Sequence, residues 1–463
     1  MNVSGVVKME SRKWAEKWKV EMLLRTVVVI SALSVVAKAE NRTSKGPPAS
    51  LSNSVNNRSA NNRSVNSGSI STKNGATRKE SNKDKLWDGQ EGRPLTLDQF
   101  QPRSQLRVTQ HALRRARFPV VDVHVHPRYK LRHVPEQLDQ FVSVMDKQQI
   151  AVCVSLDGGL GEALEEHKRY LWTNYRDRFV IFANIDWQGD GRADDPGSWD
   201  CQRPDFGRRM ALALADAQRR GAVGLKIFKR LGLSYRNGDG SLITIDDPRW
   251  DPIWDACGQL GMPVLIHSAD PVAFFTPVDR HNERWEELHR HPDWSFAGSE
   301  FPSHDQLLTA RNRVIGRHPR TVFLGAHVAN YPENLAQVGH WLDTYPNLHV
   351  EIAARIAELG RQPSTARKFF LNYADRILFG TDGPRPPERL WPHWRMLETD
   401  DEYFSYAEGQ YPPQGLWNIY GLHLPDEVLR KVYYKNAARL IPGISARLEK
   451  WSSLLTENQP EAH

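Results

Sequence analysis

The residues of this chain whose types and spacing suit chemistry begin in the stretch Phe118 to Pro127, which reads FPVVDVHVHP. Asp122, His124 and His126 recur at every second residue, and on an extended strand that spacing places all three side chains on one face. Two neutral imidazoles at the carboxyl end of an apolar strand make sense if their nitrogens point at one cation, since imidazole is a common ligand for zinc and its neighbours. The plainer alternative is a surface strand with a wet polar face, and the valines on the other face weigh against it. Three further residues end apolar runs in the same way: His267 in PVLIHSAD, His327 in TVFLGAHVAN and Asp382 in ILFGTDGP. Taken singly, a histidine after an apolar run is more often a satisfied core or loop residue. Together these five residues include the set expected for one divalent, zinc-like ion with positions left open for water, which is three imidazoles and a carboxylate.

The elements that must position these residues repeat along the chain as a short apolar run followed by a stretch of helical periodicity. The runs are Val120–His126, Ile150–Asp157, Phe179–Asp186, Ala222–Lys229, Pro263–Asp270, Thr321–Val328, Leu348–Ala354 and Ile377–Pro384. Between them the pattern predicts helices over Pro135–Gln149, Glu162–Tyr175, Phe206–Arg220, Pro252–Leu260, His304–Arg317 and Glu333–Thr344. Eight alternating units with continuously apolar strands predict an α/β fold, a (β/α)8 barrel with loop insertions, in which chemistry sits at the carboxyl ends of the strands. An open doubly wound sheet would carry a glycine-rich phosphate turn after its first strand, and here that place holds His-Val-His-Pro.

The rest of the chain frames this barrel. Of the charged residues, 22 basic and 9 acidic ones precede Phe118, so the net charge of +7 leaves the remainder at about −6. A mildly acidic folded part gives no basic surface for nucleic acid. Cys153, Cys201 and Cys257 are too few and too scattered for a disulfide framework or a thiolate site. Residues 1–39 have the layout of an export signal: a basic stretch, the apolar core Thr26 to Ala37, and Ala37-Lys38-Ala39 before Glu40. The alternative is an uncleaved anchor formed by residues 22–37. Residues 40–85, rich in Asn and Ser, cannot bury enough apolar surface to offset chain entropy and are expected to be a disordered linker. Residues 86–117 are expected to form an extended collar, 118–443 the barrel, and 444–463 a carboxyl-terminal tail.

The ordered pattern of HxH after the first strand, His after the fifth, His after the sixth and Asp after the eighth resembles the amidohydrolase superfamily. The NAARLIPG segment, Asn436 to Gly443, is similar to the last helix of the branch that includes aminocarboxymuconate-semialdehyde decarboxylase. The resemblance covers Phe118 to about Gly443. It implies one divalent metal ion, Zn2+ with Mn2+ or Fe2+ as alternatives, held by His124, His126, His267 and Asp382, with His327 as an acid/base residue beside it. Relatives outside this branch bridge two metals with a carboxylated lysine on the fourth strand; Lys226 occupies that place here, and is read first as a substrate-carboxylate or structural lysine. A homodimer is a common arrangement in the family.

Asp122 is expected to support the metal site from below. Lys226, Lys229, Arg230, Arg355 and Arg385 fall at or just beyond strand ends, where a cation could hold the carboxylate of a small-molecule substrate. The insertion from Pro271 to Pro302 is a natural lid, and its His281, His289 and His291 are expected to be ordinary surface residues. Two chemistries fit: hydrolysis of an amide, ester or lactone, with Asp382 taking the water proton and His327 assisting the leaving group, or decarboxylation of a small or aromatic acid. The contrasting class is an inactive barrel that binds an envelope glycan. Sequencing the amino terminus of secreted protein tests the leader: a start at Glu40 is expected, and retention of residues 22–37 in a membrane fraction overturns cleavage.

Overall fold

The computed structural model describes residues 99–407 and 413–457, together with 92, 95 and 96. All eight apolar runs form strands: β1 (Val120–Val125), β2 (Ile150–Ser155), β3 (Phe179–Asn184), β4 (Ala222–Ile227), β5 (Val264–Ile266), β6 (Phe323–Gly325), β7 (Leu348–Glu351) and β8 (Ile377–Leu378). Each pairs in parallel with the next, in the order β1 to β8. The strands stop short of the predicted runs because the residues that follow turn out of the ladder. His327, Val328, Ala329, Asn330, Ala354 and Asp382 all have left-handed backbone, with φ between 50 and 59°. Such conformations cost of the order of 1–3 kcal/mol for residues other than glycine and gather at functional sites.

One principal helix follows each strand: α1 (Pro135–Gln148), α2 (Gly161–Tyr175), α3 (Phe206–Arg219), α4 (Asp251–Leu260), α5 (His304–Arg317), α6 (Leu335–Thr344), α7 (Pro363–Asn372) and α8 (Pro387–Glu398). In α1, proline opens the first turn, and Leu138, Phe141, Val142 and Met145 make a buried stripe at helical spacing. A reciprocal capping box between Ser303 and Gln306 starts α5, whose bounds match the predicted ones. On β4, Gly224 leaves room for Phe182, whose ring atoms lie only 2.5 Å from where a Cβ would stand.

Two apolar clusters hold the barrel together. One joins outward strand residues such as Cys153, Ile181 and Ile266 to the helices. The other gathers Val152, Val154, Val180, Phe182, Leu265, Leu324 and Leu378 with Ala437, Ile441, Ile444 and Trp451. The expected carboxyl-terminal tail therefore differs: its first residues form α9 (Ile444–Glu457), because Ile444 and Trp451 bury apolar surface against strand residues. The collar residues 101–119 contain no helix or strand. They are pinned where His111 N–H donates to Asp401 at 2.7 Å and Arg117 N–H donates to Glu398 at 2.9 Å. The export leader and the linker lie outside the described residues. Among the described residues no helix is long and apolar enough to cross a membrane.

The seam between β8 and β1 is closed by hydrogen bonds beyond the short β8 strand. Val123 N–H donates to Phe379 O at 3.0 Å, His126 N–H to Gly383 O at 2.7 Å, and Gly383 N–H to His124 O at 3.1 Å. Asp122 clamps this seam, accepting from Thr381 N–H at 3.1 Å, from Thr381 Oγ1 at 2.5 Å and from His124 N–H at 3.1 Å. Burial pushes its carboxyl up to about 7, although the Thr381 and His124 hydrogen bonds oppose the shift. A folded pKa above the unfolded value gives stability that is complete below about 4 and lost as pH rises through about 7. Chemical denaturation should therefore show wild-type stability falling across that interval and an Asp122→Asn variant lacking the slope. Asp122→Ala should lose about 2–4 kcal/mol by stranding buried donors; a variant as stable as wild type would remove Asp122 from the seam.

Candidate metal centre

The carboxyl ends of β1, β7 and β8 converge on one cluster. His124 and His126 face each other with their Nε2 atoms 3.1 Å apart, and Asp382 Oδ1 lies 3.9 Å from the first and 3.7 Å from the second. Behind each ring stands a carboxylate: Glu351 Oε1 is 2.9 Å from His124 Nδ1, and Asp157 Oδ1 is 2.6 Å from His126 Nδ1. A carboxylate accepts only, so each Nδ1 carries the hydrogen and each Nε2 presents a lone pair. Two lone pairs aimed at each other across 3.1 Å repel unless a cation lies between or beside them. With Asp382 completing a group whose donor atoms all lie within 4.8 Å, the residues present fit a divalent ion.

Electrostatics keep these groups in ligand form. Burial holds the His124 imidazole well below its ordinary value, with Lys226 adding to the effect. Burial alone would raise Asp382, but His124, Lys130, His126 and Arg385 outweigh it and hold the carboxyl well below the usual range. Lys130 Nζ also donates to the Asp382 backbone carbonyl. Glu351 does more than orient His124, since it accepts from His327 N–H at 2.8 Å and from Ala353 N–H at 2.5 Å. Gly380 makes this approach feasible: a Cβ there would lie 2.7 Å from Glu351 Oε2 and 3.2 Å from His124 Cβ.

His327 and His267 adjoin the cluster without joining it. His327 Nδ1 is 2.8 Å from Ala353 O, which fixes its hydrogen there and leaves the Nε2 lone pair free. Burial holds its imidazole well below the ordinary value, reinforced by His267 and Arg355. Of the four residues expected as ligands, the structure brings three together and leaves His267 apart. Its Nε2 lies 3.1 Å from Ala269 O and 3.4 Å from Asp270 Oδ1, drawn there by a carboxylate that Lys229 holds ionised. The ring centroids of His267 and His327 are nevertheless 4.5 Å apart. Burial lowers His267 to about 4, partly offset by Asp270.

A cavity of about 410 Å³ opens from His267, His327 and Asp382. Arg355 and Arg385 line it as expected, and so does Lys229. Arg355 is 5% exposed, has no carboxylate partner among the described residues, and leaves its Nε without a hydrogen-bond partner. Arg385 Nη2 lies 3.7 Å from Asp382 Oδ2. Lys226 is buried inside the barrel and does not line the cavity; its ammonium has no hydrogen-bond partner, and burial lowers it to about 8, opposed by Glu351, Asp382 and Asp157. The 271–302 insertion supplies Phe274, Arg284, Glu287, Arg290, His291 and Trp294 to the wall. His291 is exposed, as expected, and stacks on Trp294 at the cavity wall with centroids 4.1 Å apart.

Sequence reasoning passed over Glu351, Asp157, Lys130 and His393. The first two carried a usable signal: each is an acid at the end of an apolar strand run, in LHVE and VSLD, which is the same mark that singled out the histidines.

A family model described as Amidohydrolase matches residues 121–443. No curated protein matches the chain. Among solved structures, it is similar to 2,6-dihydroxybenzoate decarboxylase from Rhizobium, at 18% identity and a TM-score of 0.41 over 70% of this chain and 98% of that one. It is similar to a dihydroxybenzoic acid decarboxylase from Polaromonas with bound manganese and 2-nitroresorcinol, at 14% identity and a TM-score of 0.42, covering 70% and 96% of the two chains. An amidohydrolase from Burkholderia multivorans with bound HEPES aligns at 11% identity and a TM-score of 0.38, covering 70% and 98%.

Elemental analysis of protein purified without a polyhistidine tag should find about one divalent ion per chain, lost in His124→Ala and Asp382→Ala. Glu351→Gln should keep the fold but weaken metal affinity about 10–100-fold, because the ring behind it is no longer held. Metal content that survives both ligand substitutions would discard the site.

Proposed function

The chain belongs to the amidohydrolase family, and from that membership we propose that it is a metal-dependent hydrolase that adds water across an amide, ester or lactone bond of a small organic acid. The observation that carries the reading is the pair of facing Nε2 atoms beside Asp382, at the end of a cavity whose wall holds the unpaired Arg355. His124, His126 and Asp382 would hold the ion, and His267, turned toward Ala269 and Asp270, stands beside them. Zinc is the leading ion, with manganese and iron as alternatives. Once bound, it supplies Lewis-acid polarisation of a substrate oxygen.

The side chains divide the remaining work. His327 takes the proton of the attacking water at Nε2, where the lone pair is free, and passes it to the leaving group. Arg355 holds the substrate carboxylate; its guanidinium is already desolvated, so an arriving carboxylate recovers a charge-assisted hydrogen bond at little extra desolvation cost. Arg385 keeps Asp382 ionised and borders the substrate. Phe274 and Trp294 close the apolar side of the cavity and exclude water.

Decarboxylation of a small or aromatic acid is the second reading, and the placing of Arg355 and His327 on one cavity wall favours it, since it sets a substrate carboxylate beside a group that can carry a proton. We also propose that the leader exports the protein to the periplasm or outside the cell, on the strength of its charge and hydropathy layout alone.

Metal-loaded protein assayed on carboxylated lactones, amides and aromatic acids should give products heavier by water; products lighter by carbon dioxide would select the second reading. Arg355→Met should raise KM about 10–100-fold with little change in kcat, and His327→Asn should lower kcat about 10²–10⁴-fold while metal content is kept. Absence of any metal-dependent turnover across the panel would leave only a binding role.

A further inference from the structure

Four consecutive residues other than glycine, His327, Val328, Ala329 and Asn330, stand in left-handed backbone just past β6, with φ of 57, 59, 50 and 59°. L-residues visit that region singly, and a β-branched side chain such as that of Val328 is the least suited to it. Left to itself the stretch would relax, and the imidazole of His327 would swing with it. Gly325 lets the turn fold back, since a Cβ there would meet Ala329 Cβ at 2.9 Å, but a glycine does not hold a turn in place.

The groups that hold it come from α5. Arg311 is fully buried and has no carboxylate partner among the described residues. Its Nη1 donates to the Ala329 carbonyl, while Nε and Nη2 donate to Asn312 Oδ1 at 3.1 and 2.8 Å. The guanidinium lies 4.7 Å from the centre of the Trp341 ring. Burial pushes it down to about 9, so it stays charged at neutral pH. A cation kept in the interior without a counter-ion is costly, and among the described residues the one hydrogen bond its side chain makes beyond α5 goes to this turn. At the head of the same helix His304, 6% exposed, directs Nε2–H to the Asn330 carbonyl at 2.9 Å. Its ring stands edge-on to Phe275 and Tyr331, at 5.4 and 5.0 Å between centroids. Asn330 is itself buried, and its side chain accepts from Ser268 N–H at 3.1 Å. Bonds to two successive carbonyls fix two successive peptide planes, and strained backbone persists only where its surroundings dictate it in this way.

We propose that Arg311 and His304 are positioning residues for His327: they hold the turn left-handed, so that His327 keeps Nδ1–H on the Ala353 carbonyl and leaves Nε2 free at the cavity. This rests on the reading in which His327 carries the proton. Neither Arg311 nor His304 lines the cavity, so neither is a substrate contact.

The test uses the zinc-loaded full chain. Nuclear magnetic resonance of the imidazole nitrogens, with isotope-labelled histidine, should show His327 of wild type as the Nδ1–H tautomer, its signals identified by their absence in His327→Asn. Arg311→Met should lose that signature, and adding Ala329→Gly should restore it, because glycine takes a positive φ without help from a donor. Ala329→Gly alone should match wild type. His304→Leu should act like Arg311→Met, and carries the test if the latter does not fold; His304→Gln, which still offers an N–H, should act like wild type. On a substrate found in the panel above, kcat should fall about 10–100-fold in Arg311→Met with KM within about threefold, and recover in the double variant. A His327 signature unchanged in Arg311→Met overturns the proposal. So does a loss that Ala329→Gly does not repair, since Arg311 then serves only the stability of the barrel. Full turnover in His327→Asn overturns the proton-carrier reading instead, and the resonance comparison then decides the positioning role by itself.

Discussion

The organising constraint of this protein is the confrontation of two imidazole lone pairs. His124 and His126 are each locked from behind by a carboxylate, Glu351 and Asp157, so neither ring can turn its N–H toward the other. Without such locks a histidine pair would relax into an ordinary hydrogen bond, one ring donating and the other accepting. The barrel exists to hold four strand ends in the registry that prevents this relaxation. Gly380, which gives Glu351 and His124 room to meet, and the left-handed turns that aim His327 and Asp382 are local costs accepted for that purpose.

What the sequence made legible follows from local physics. An apolar run of four to eight residues needs only its own composition to declare itself a buried strand, and a histidine or aspartate at its end needs only the barrel's polarity to become a site residue. The eight runs, the helix bounds of α5 and the grouping of His124, His126 and Asp382 were all of this kind. The locks were not, because they depend on pairing across distance: His124 meets Glu351 227 residues later. Nor was the orientation of His267, which is decided by the Lys229–Asp270 pair and not by anything in PVLIHSAD. His393 sits in the helical stretch WPHW, where an imidazole reads as one more polar position on a helix surface. Only the fold shows it buried at the wall of a cavity.

The segments outside the barrel repeat the same lesson in reverse. Residues after Gly443 were expected to be a tail, although Ile444, Leu448 and Trp451 stand at helical spacing. Their partners are strand residues such as Val152 and Val180, and the helix forms because that surface is available. The collar, by contrast, carries little apolar periodicity, and it is held by paired bonds from His111 to Asp401, by Arg117 on Glu398 and Asp426, and by the buried Ala116.

The Asp122 clamp joins the first strand of the barrel to the last, across 259 residues of chain. During synthesis, β1 leaves the ribosome long before Thr381 and Asp382 exist, so a nascent chain has its HxH pair but no third donor and no seam. Capture of the ion proposed for this site is thereby postponed until almost the whole barrel has been made. An incomplete or truncated chain presents at most a weak two-nitrogen site, and selectivity for the right ion becomes a property of the finished molecule and of the compartment in which it finishes folding.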